Sequence, residues 1–157
     1  MNSPMGELLL AGTDNVLERL GLPQGRGIFR LESDWQKSSH AFEDAVRQLD
    51  EYFTGRRKVF DLELRPCGTS FQLAVYEELT LVPYGETQSY KEIANAVGRP
   101  GAFRAVGVAS GRNPLPIFIP CHRIIGSDGS LTGFSGGLAA KRYLLALEAD
   151  EFHLSSY

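Results

Sequence analysis

The first third of the chain alternates short apolar and polar stretches, a pattern that predicts strands. Three such stretches are separated by glycine, aspartate, asparagine and proline, as in an antiparallel meander: residues 7–11, 16–22 and 27–32. The period changes at residues 41–53, where apolar side chains recur every three or four positions. That spacing predicts an amphipathic helix, which Gly55 ends.

The pattern in the second part of the chain predicts mainly helices. Residues 58–64 alternate imperfectly and predict one more strand, and residues 65–69 contain a proline and a glycine and suit a linker. Beyond them, residues 71–81 place their apolar side chains on one helical face. The predicted fold class is α+β, with a small N-terminal α/β domain (1–66) built on an antiparallel sheet and a mainly helical C-terminal domain (67–157).

Two short helices joined by a tight turn form a helix-turn-helix pattern. Ser89 and Glu92 have the spacing of a capping box, which opens a helix running to about residue 97. Residues 98–101 contain two glycines and a proline and predict the turn, and residues 102–111 predict a second helix rich in small residues. Many helical hairpins bind no nucleic acid, so this pattern alone leaves a DNA-binding role open.

Composition indicates a globular protein of the cytoplasm. The 157 residues are 43% hydrophobic and 22% charged, which excludes a disordered or coiled-coil chain. No apolar run approaches the roughly 18 residues of a membrane span, and the start lacks the basic region of a secretory signal. Two cysteines are too few for a disulfide scaffold and form no evident zinc site with the three histidines. We therefore expect no metal, no cofactor and no membrane partner.

The net charge of −3 hides an uneven distribution. Residues 1–83 carry nine basic and thirteen acidic side chains, whereas residues 84–145 carry seven basic and only three acidic ones. A basic segment in an acidic chain suits a polyanionic partner, although an ordinary solvated face would look the same.

A cysteine with chemistry-bearing neighbours follows an apolar run. The run at residues 117–119 ends in Pro120, and Cys121 is followed by a histidine and an arginine. The thiolate is the nucleophilic form of cysteine, so His122 could take the thiol proton while Glu148, near the end of the last helix, holds the imidazole. In the alternative reading, Cys121 is a small buried apolar residue and the other two are ordinary polar residues.

Longer motifs resolve this choice, because they resemble the O6-alkylguanine-DNA alkyltransferases. The resemblance spans roughly residues 70–150, and its most specific element is the run Pro-Cys-His-Arg at 120–123. The first 65 residues resemble the family's N-terminal domain only in size and in the order of strands and helix. The matching motifs occupy residues 83–86, 89–94, 104–113, 113–124, 127–138 and 144–148.

The resemblance implies a single transfer reaction on a base that has left the DNA stack. Cys121 would attack the alkyl carbon on guanine O6 and keep the group as a thioether. His122 would relay the thiol proton, and Glu148 would orient the imidazole. Tyr90 would hydrogen-bond or protonate guanine N3, and Asn113 would brace the active-site turn.

Other residues carry over as contacts to the flipped guanine or to the DNA. Arg104 corresponds to the finger that fills the vacated stack, and small residues on its helix would let the backbone approach the DNA. Two positions depart from the family: Phe134 stands where Tyr is usual, and Tyr76 stands where Trp is usual. The full set of expected contacts is Arg104, Ala105, Gly107, Arg123, Ile124, Phe134 and Ser135.

The expected partner is double-stranded DNA that contains O6-alkylguanine. Whether O4-alkylthymine is also a substrate, and whether a monomer binds DNA cooperatively, stay open. Three other functions compete with this one: a non-enzymatic alkyltransferase-like protein that only binds the lesion, a cysteine hydrolase of small substrates, and a DNA-binding regulator. The presence of Cys121 argues against the first, and the helix-turn-helix pattern argues against the second. No extra regulatory domain supports the third.

Overall fold

The computed structural model describes residues 1–24 and 33–150, so the strand predicted at 27–32 lies outside the described residues. Short strands precede and interrupt the helices: Asn2–Ser3 (β1), Gly6–Glu7 (β2), Leu9–Thr13 (β3), Val16–Gly21 (β4), Gln88–Ser89 (β5) and Ile124–Ile125 (β6). The helices are Glu43–Phe53 (α1), Ser70–Thr80 (α2), Tyr90–Ala96 (α3), Phe103–Gly111 (α4) and Leu138–Glu148 (α5). None of these helices is long and apolar enough to cross a membrane.

The antiparallel hairpin β3–β4 forms because of its two-residue turn. Asp14 and Asn15 both adopt left-handed backbone angles, with φ of 52° and 61°, and join the paired residues Thr13 and Val16. Such turns have a twist that matches the twist of the strands they join, and Asp and Asn tolerate them well. The strand predicted at residues 16–22 is confirmed within one residue. The stretch predicted at 7–11 is divided between β2 and β3.

The strand predicted at residues 58–64 is wrong. The segment is irregular, and its only strand-like contact is a single bridge between Leu64 and Leu17. The backbone of Asp61 instead bonds the side-chain amide of Gln48, which accepts from the Asp61 N–H and donates to its carbonyl, both at 2.9 Å. A buried side chain on α1 thus satisfies backbone groups that would otherwise need a neighbouring strand.

Capping boxes begin two of the helices in the second part of the chain. Ser89 and Glu92 form the predicted one at α3, with hydrogen bonds of 3.1 Å and 2.7 Å. Thr69 and Gln72 form a second one at α2, with bonds of 3.2 Å and 2.9 Å. Thr69 therefore belongs to the start of α2, although its sequence neighbourhood predicts a linker.

Parallel pairing of β5 with β6 places the helix-turn-helix beside the cysteine. Ser89, which caps α3, pairs with Ile125, four residues after Cys121. Helices α3 and α4 follow directly and pack against each other and against α2. The buried core runs through both parts of the chain and includes Leu49, Val75, Leu79, Ile93, Val106 and Leu144.

Candidate active site

Cys121 begins a single turn of 3₁₀ helix, Cys121–Arg123, at the end of a strained loop. Ile117 in that loop adopts φ of 74°, which for a β-branched residue costs about 1–3 kcal/mol. The buried amide of Asn113 holds the loop in this shape: it donates to the Ile119 carbonyl at 2.8 Å and accepts from the Leu115 N–H at 2.9 Å. The position of Cys121 is therefore fixed by backbone contacts on its N-terminal side.

The thiol of Cys121 is buried, with 3% of the residue exposed. Burial raises its pKa to about 11, even though a hydrogen bond with Asn113 and the charge of Lys141 both act to lower it. At neutral pH the group is therefore a thiol, which is a poor nucleophile. Chemistry at Cys121 needs a base that removes the proton.

His122 is the adjacent base, and its hydrogen bond selects the tautomer. Its Nε2 lies 2.7 Å from Oε1 of Glu148, and both side chains are almost completely buried. Burial lowers the pKa of His122, so the imidazole is neutral near pH 7. Because Nε2 carries the proton that faces the carboxylate, Nδ1 has a free lone pair. Among the described residues, no hydrogen-bond donor contacts Nδ1.

Glu148 is the centre of a buried cluster of donors. Its Oε1 accepts from His122, from the Tyr52 hydroxyl at 2.7 Å and from Arg123 Nη2 at 2.9 Å. Its Oε2 accepts from Arg123 Nε at 2.8 Å and from the backbone N–H of Gly85 at 3.3 Å. Burial opposes ionisation, yet the hydrogen bonds from His122 and Arg123 hold the pKa of Glu148 at about 2. The carboxylate is therefore ionised throughout the physiological range.

Arg123 supports Glu148, and we reassign it from the expected contact with substrate or DNA. The residue is only 6% exposed, and its Nη1 donates to the carbonyl of Val82 at 2.6 Å. With its Nε and Nη2 on Glu148, the guanidinium has a hydrogen-bond partner on each of its three nitrogens and faces the buried carboxylate. A buried carboxylate needs such a partner, because an isolated buried charge is costly.

Lys141 is a site residue that the sequence analysis missed. It is fully buried on α5, and its Nζ donates to the carbonyl of Ile124 and, at 3.0 Å, to that of Thr132. Helical spacing could have revealed it, since Lys141, Leu144 and Glu148 follow one another at intervals of three and four. Two charged residues on an otherwise apolar helical face indicate buried partners.

Tyr90 lies between α4, the second helix of the helix-turn-helix, and the loop whose Thr132 carbonyl accepts from Lys141. Its hydroxyl donates to the Thr132 carbonyl at 3.1 Å, and Lys141 Nζ lies 5.9 Å from the centre of its ring. A Cβ built on Gly107 would lie 3.7 Å from the Tyr90 ring, so α4 approaches closely at this small residue. Tyr90 and Lys141 thus bind the same carbonyl, 11 residues after Cys121 in the chain.

The expected guanine-pocket residues lie at the edge of this arrangement. Phe134 and Ser135 are half-buried in the loop that precedes α5. A Cβ on the buried Gly136 would lie 2.7 Å from the end of the Leu22 side chain and 2.9 Å from the Phe134 ring, so a larger residue here would force those side chains to shift. The Ile124 carbonyl already accepts the Lys141 ammonium, which leaves its second lone pair for other contacts.

The exposed face of α4 carries the remaining expected DNA contacts. Arg104 and Ala105 are both exposed near its first turn, and Arg104 forms no ion pair with any residue that the structure describes. Of the seven basic residues at 84–145, Arg123 and Lys141 are buried and belong to the cysteine site. The exposed ones are Lys91, Arg99, Arg104, Arg112 and Arg142.

Two family descriptions match the chain. Residues 70–150 match the DNA binding domain of 6-O-methylguanine DNA methyltransferase, and residues 1–66 match the ribonuclease-like domain of the same protein. The chain belongs to the 6-O-methylguanine DNA methyltransferase family. The α+β fold class is confirmed by this membership together with the strands and helices described above.

Relatives in this methyltransferase family align along almost the whole chain. The methylated-DNA–protein-cysteine methyltransferase of Methanosarcina barkeri is 49% identical over 148 residues, which are 94% of each chain. That of Mycobacterium leprae is also 49% identical, over 94% of this chain and 89% of the relative. The crystal structure of Mycobacterium tuberculosis OGT in complex with DNA superimposes with a TM-score of 0.90 at 47% identity, covering 96% of this chain and 91% of that one.

One departure from the methyltransferase pattern lies beside the thiol of Cys121. Tyr76 is 2% exposed, and its hydroxyl contacts no hydrogen-bond partner among the described residues. Burial raises the pKa of Tyr76, and the neighbouring Cys121 raises it further. The tyrosine is therefore neutral and packs in the same core as the cysteine. The second departure, Phe134, is a half-buried aromatic ring without a hydroxyl, in the loop that precedes α5.

Proposed function

We propose that this chain repairs alkylated DNA directly, by moving an alkyl group from O6 of guanine to the Sγ of Cys121. The observation that carries the assignment of residues is the buried pair His122–Glu148 beside the thiol, in a member of this family. The pair supplies a neutral imidazole whose Nδ1 is available as a base. The buried thiol requires such a base, because its pKa lies far above neutral pH.

The proposed transfer forms one bond and breaks one bond. Sγ of Cys121 attacks the alkyl carbon, the S–C bond forms, and the electron pair of the C–O bond stays with the guanine oxygen. The thiol proton passes to Nδ1 of His122, where Glu148 stabilises the imidazolium. The Tyr90 hydroxyl exchanges its hydrogen bond to the Thr132 carbonyl for one to N3 of the departing guanine and so offsets its negative charge. The proton that His122 took up is then returned to the guanine anion, so unmodified guanine, neutral His122 and a thioether on the protein result.

The base must leave the duplex before this reaction, because O6 inside the stack is out of reach of a buried thiol. We assign the extrusion to α4, whose exposed small residues let the helix lie close to the DNA. Arg104 would enter the vacated position and pair with the orphaned cytosine. Residues 67–157 would then carry the reaction and the DNA contacts, with residues 1–66 as a separate N-terminal domain.

The decisive experiment is mass spectrometry after incubation with duplex DNA that contains O6-methylguanine. We expect the peptide with Cys121 to gain the mass of one CH₂, because a methyl group replaces the thiol proton. The reaction should stop at one methyl group per chain even with excess DNA, since a thioether has no good leaving group. Unmodified DNA of the same sequence is the control.

Other results would reject the proposal in different ways. DNA that is bound without any mass gain would favour the alkyltransferase-like alternative that only binds the lesion. Repeated turnover would contradict the thioether product. If the protein neither bound the DNA nor gained mass, the cysteine hydrolase would again be the favoured alternative.

We expect Arg104→Ala to slow repair of duplex DNA by roughly 10-fold or more while leaving the reaction with free O6-alkylguanine within about twofold. The physical reason is that unstacking costs a few kcal/mol, and a guanidinium in the gap offsets part of that cost. Single-turnover rates on the two substrates measure the difference. Arg112→Ala, an exposed arginine directly after the same helix, is the matched control and should change the two rates far less.

A role for Arg104 through charge alone predicts a different pattern. Arg104→Lys would then restore the rate on duplex DNA, and high salt would reproduce the loss in the unmodified protein. Equal losses on duplex and free base would place Arg104 in the pocket and reject the extrusion role.

The expected DNA partner is a duplex with O6-alkylguanine, bound by a monomer. We place the activity in the cytoplasm, at the nucleoid if the cell is prokaryotic, because the substrate is DNA. O4-alkylthymine is a second candidate substrate, since it presents a similar alkyl carbon. The same mass-spectrometric experiment tests this second substrate when the duplex contains O4-alkylthymine in place of O6-alkylguanine.

A further inference from the structure

A side chain from the N-terminal part of the chain reaches the catalytic carboxylate. The hydroxyl of Tyr52, on α1, donates to Oε1 of Glu148 at 2.7 Å, and the two residues are 96 positions apart. None of the surface of Tyr52 is exposed. The helical spacing of residues 41–53 predicts only that Tyr52 lies on the apolar face of an amphipathic helix.

Aromatic packing holds the Tyr52 ring in place. Phe53 and Phe60 lie 5.5 Å and 5.4 Å from it, between ring centres, and both come from the N-terminal part. Tyr84 lies edge-on at 6.1 Å and comes from the helical part. A buried ring with neighbours on several sides has little freedom, so its hydroxyl keeps one direction.

The hydroxyl shares its acceptor with the proposed base. Oε1 of Glu148 accepts from Tyr52, from Nε2 of His122 and from Nη2 of Arg123. Each donor withdraws part of the negative charge that the others feel. A carboxylate with fewer donors attracts the imidazole proton more strongly, and that favours the charged imidazolium.

The charged groups around His122 shift its pKa in opposite directions. Glu148 on α5 raises its pKa, whereas Arg123 beside it and Lys141 on α5 lower it, and burial lowers it most. Cys121 precedes it directly. The burial of Tyr52 and the nearby carboxylate raise the pKa of the phenol far above its ordinary value, so Tyr52 stays a donor at every physiological pH.

We propose that Tyr52 is a positioning residue of the reaction. Its hydroxyl, which comes from the N-terminal part of the chain, prevents Glu148 from stabilising the protonated imidazolium of His122 too strongly. The hydroxyl limits the charge on Oε1, so His122 stays neutral and its Nδ1 stays free to accept the proton of Cys121. This inference rests on the proposed function for its effect on rate. Its effect on the protonation of His122 stands independently.

The test compares Tyr52→Phe with Tyr84→Phe. The first change removes the hydroxyl and keeps the ring. The second is a matched control, because the Tyr84 hydroxyl makes only a 3.4 Å hydrogen bond to the Leu147 carbonyl and its ring packs against the same Tyr52. Single-turnover transfer from free O6-alkylguanine is measured between about pH 5 and pH 9. Nitrogen NMR of the His122 ring follows its titration in the same proteins without any substrate.

We expect Tyr52→Phe to raise the pKa of His122 by about half a unit to one unit, as the loss of a hydrogen bond to a charged acceptor would do. The midpoint of the acid limb of the pH–rate profile should move to higher pH by the same amount. The rate at the acid end of the profile therefore falls roughly 3–10-fold. At alkaline pH the rate should stay within about twofold of the unmodified protein. Tyr84→Phe should leave both measurements unchanged.

Two results would overturn the proposal. One is an unchanged pKa of His122 in Tyr52→Phe, whatever happens to the rates. The other is a loss of rate that is uniform across pH and follows a fall in melting temperature, which would make Tyr52 a packing residue only. Failure of the unmodified protein to transfer any alkyl group would reject the proposed function, and the NMR titration would still decide the link from Tyr52 to His122.

Discussion

Replacement of Cys121 by alanine is expected to abolish alkyl transfer and to leave DNA binding within about threefold of the unmodified protein. The sulfur is the proposed acceptor of the alkyl group, and neither His122 nor Glu148 can replace it as a nucleophile. Binding should survive because Cys121 is buried, whereas the basic residues on and around α4 are exposed. Transfer of label from alkylated DNA and a binding titration with the same duplex measure the two effects.

Cys67 is the matched control for this experiment, since it is the other cysteine in the chain and is exposed. Cys67→Ala should retain full transfer. Label that appears on Cys67 in the Cys121→Ala variant would move the reaction to the linker region and reject the proposed site. Label lost in both variants would instead point to a fold that depends on each cysteine.

Glu148→Gln is expected to reduce both the rate of transfer and the stability of the fold. An amide keeps the size of the carboxylate but removes its charge, which leaves Arg123 buried without a counter-ion. Loss of one partner of a buried ion pair costs about 3–5 kcal/mol in the free energy of unfolding. The rate should fall roughly 10²–10⁴-fold, because the tautomer of His122 is no longer imposed by a carboxylate. Denaturant unfolding and single-turnover kinetics measure the two losses.

Glu51→Gln is the control for the loss of charge, since Glu51 also accepts from two arginines. Arg47 on α1 and Arg57 just after that helix donate to it at 2.7 Å and 2.6 Å, and the Glu51 side chain is 24% exposed. Solvent screens such ion pairs and they contribute little to stability, so this variant should be close to the unmodified protein. Equal destabilisation by both variants would contradict the special role of burial at Glu148.

The pH dependence of stability gives a second check on Glu148. Its folded pKa of about 2 lies below the ordinary value of 4.5, so the folded state favours the ionised form. The stabilisation is complete above about pH 4.5 and is lost as the pH falls through the folded pKa. We therefore expect the difference in stability between the unmodified protein and Glu148→Gln to shrink steadily over that acidic range.

The burial of Cys121 bears on the selectivity of the proposed reaction. We expect a buried thiol with its pKa raised to about 11 to react slowly with ordinary electrophiles in solution. In the proposed reaction it becomes a nucleophile only when the alkyl carbon is held next to it and His122 can take the proton. Selectivity for the alkylated base would then follow from the same burial that raises the pKa.

Local patterns in the chain were sufficient to predict the helices and to suggest the residues of the proposed reaction. Ser89 and Glu92 predict the start of α3 because a capping box is satisfied within four residues, whatever the rest of the fold does. The neighbours of Cys121 are adjacent in sequence, so their proximity requires no long-range contact. The family resemblance over residues 70–150 rests on such contiguous motifs and is confirmed.

Contacts between distant segments could only be found in the folded chain. Nothing near residues 58–64 shows that Gln48 will bond the Asp61 backbone and remove the need for a strand. Arg123 has the charge and residue type of a DNA contact, yet in the fold it is buried against Glu148. Burial and partner choice depend on which segments pack together, and side-chain spacing along one segment does not contain that information.

The polar network around Glu148 shows this division most clearly. The chain order alone places a carboxylate near the end of the last helix and a histidine after the cysteine. Tertiary packing adds the Tyr52 hydroxyl from α1 and the N–H of Gly85, and it directs the ammonium of Lys141 to two carbonyls next to the site. These groups must converge, because a charge removed from water is stable only when donors from several segments surround it. The residue types of this site were therefore readable in the sequence, whereas their protonation states and supports were decided by the fold.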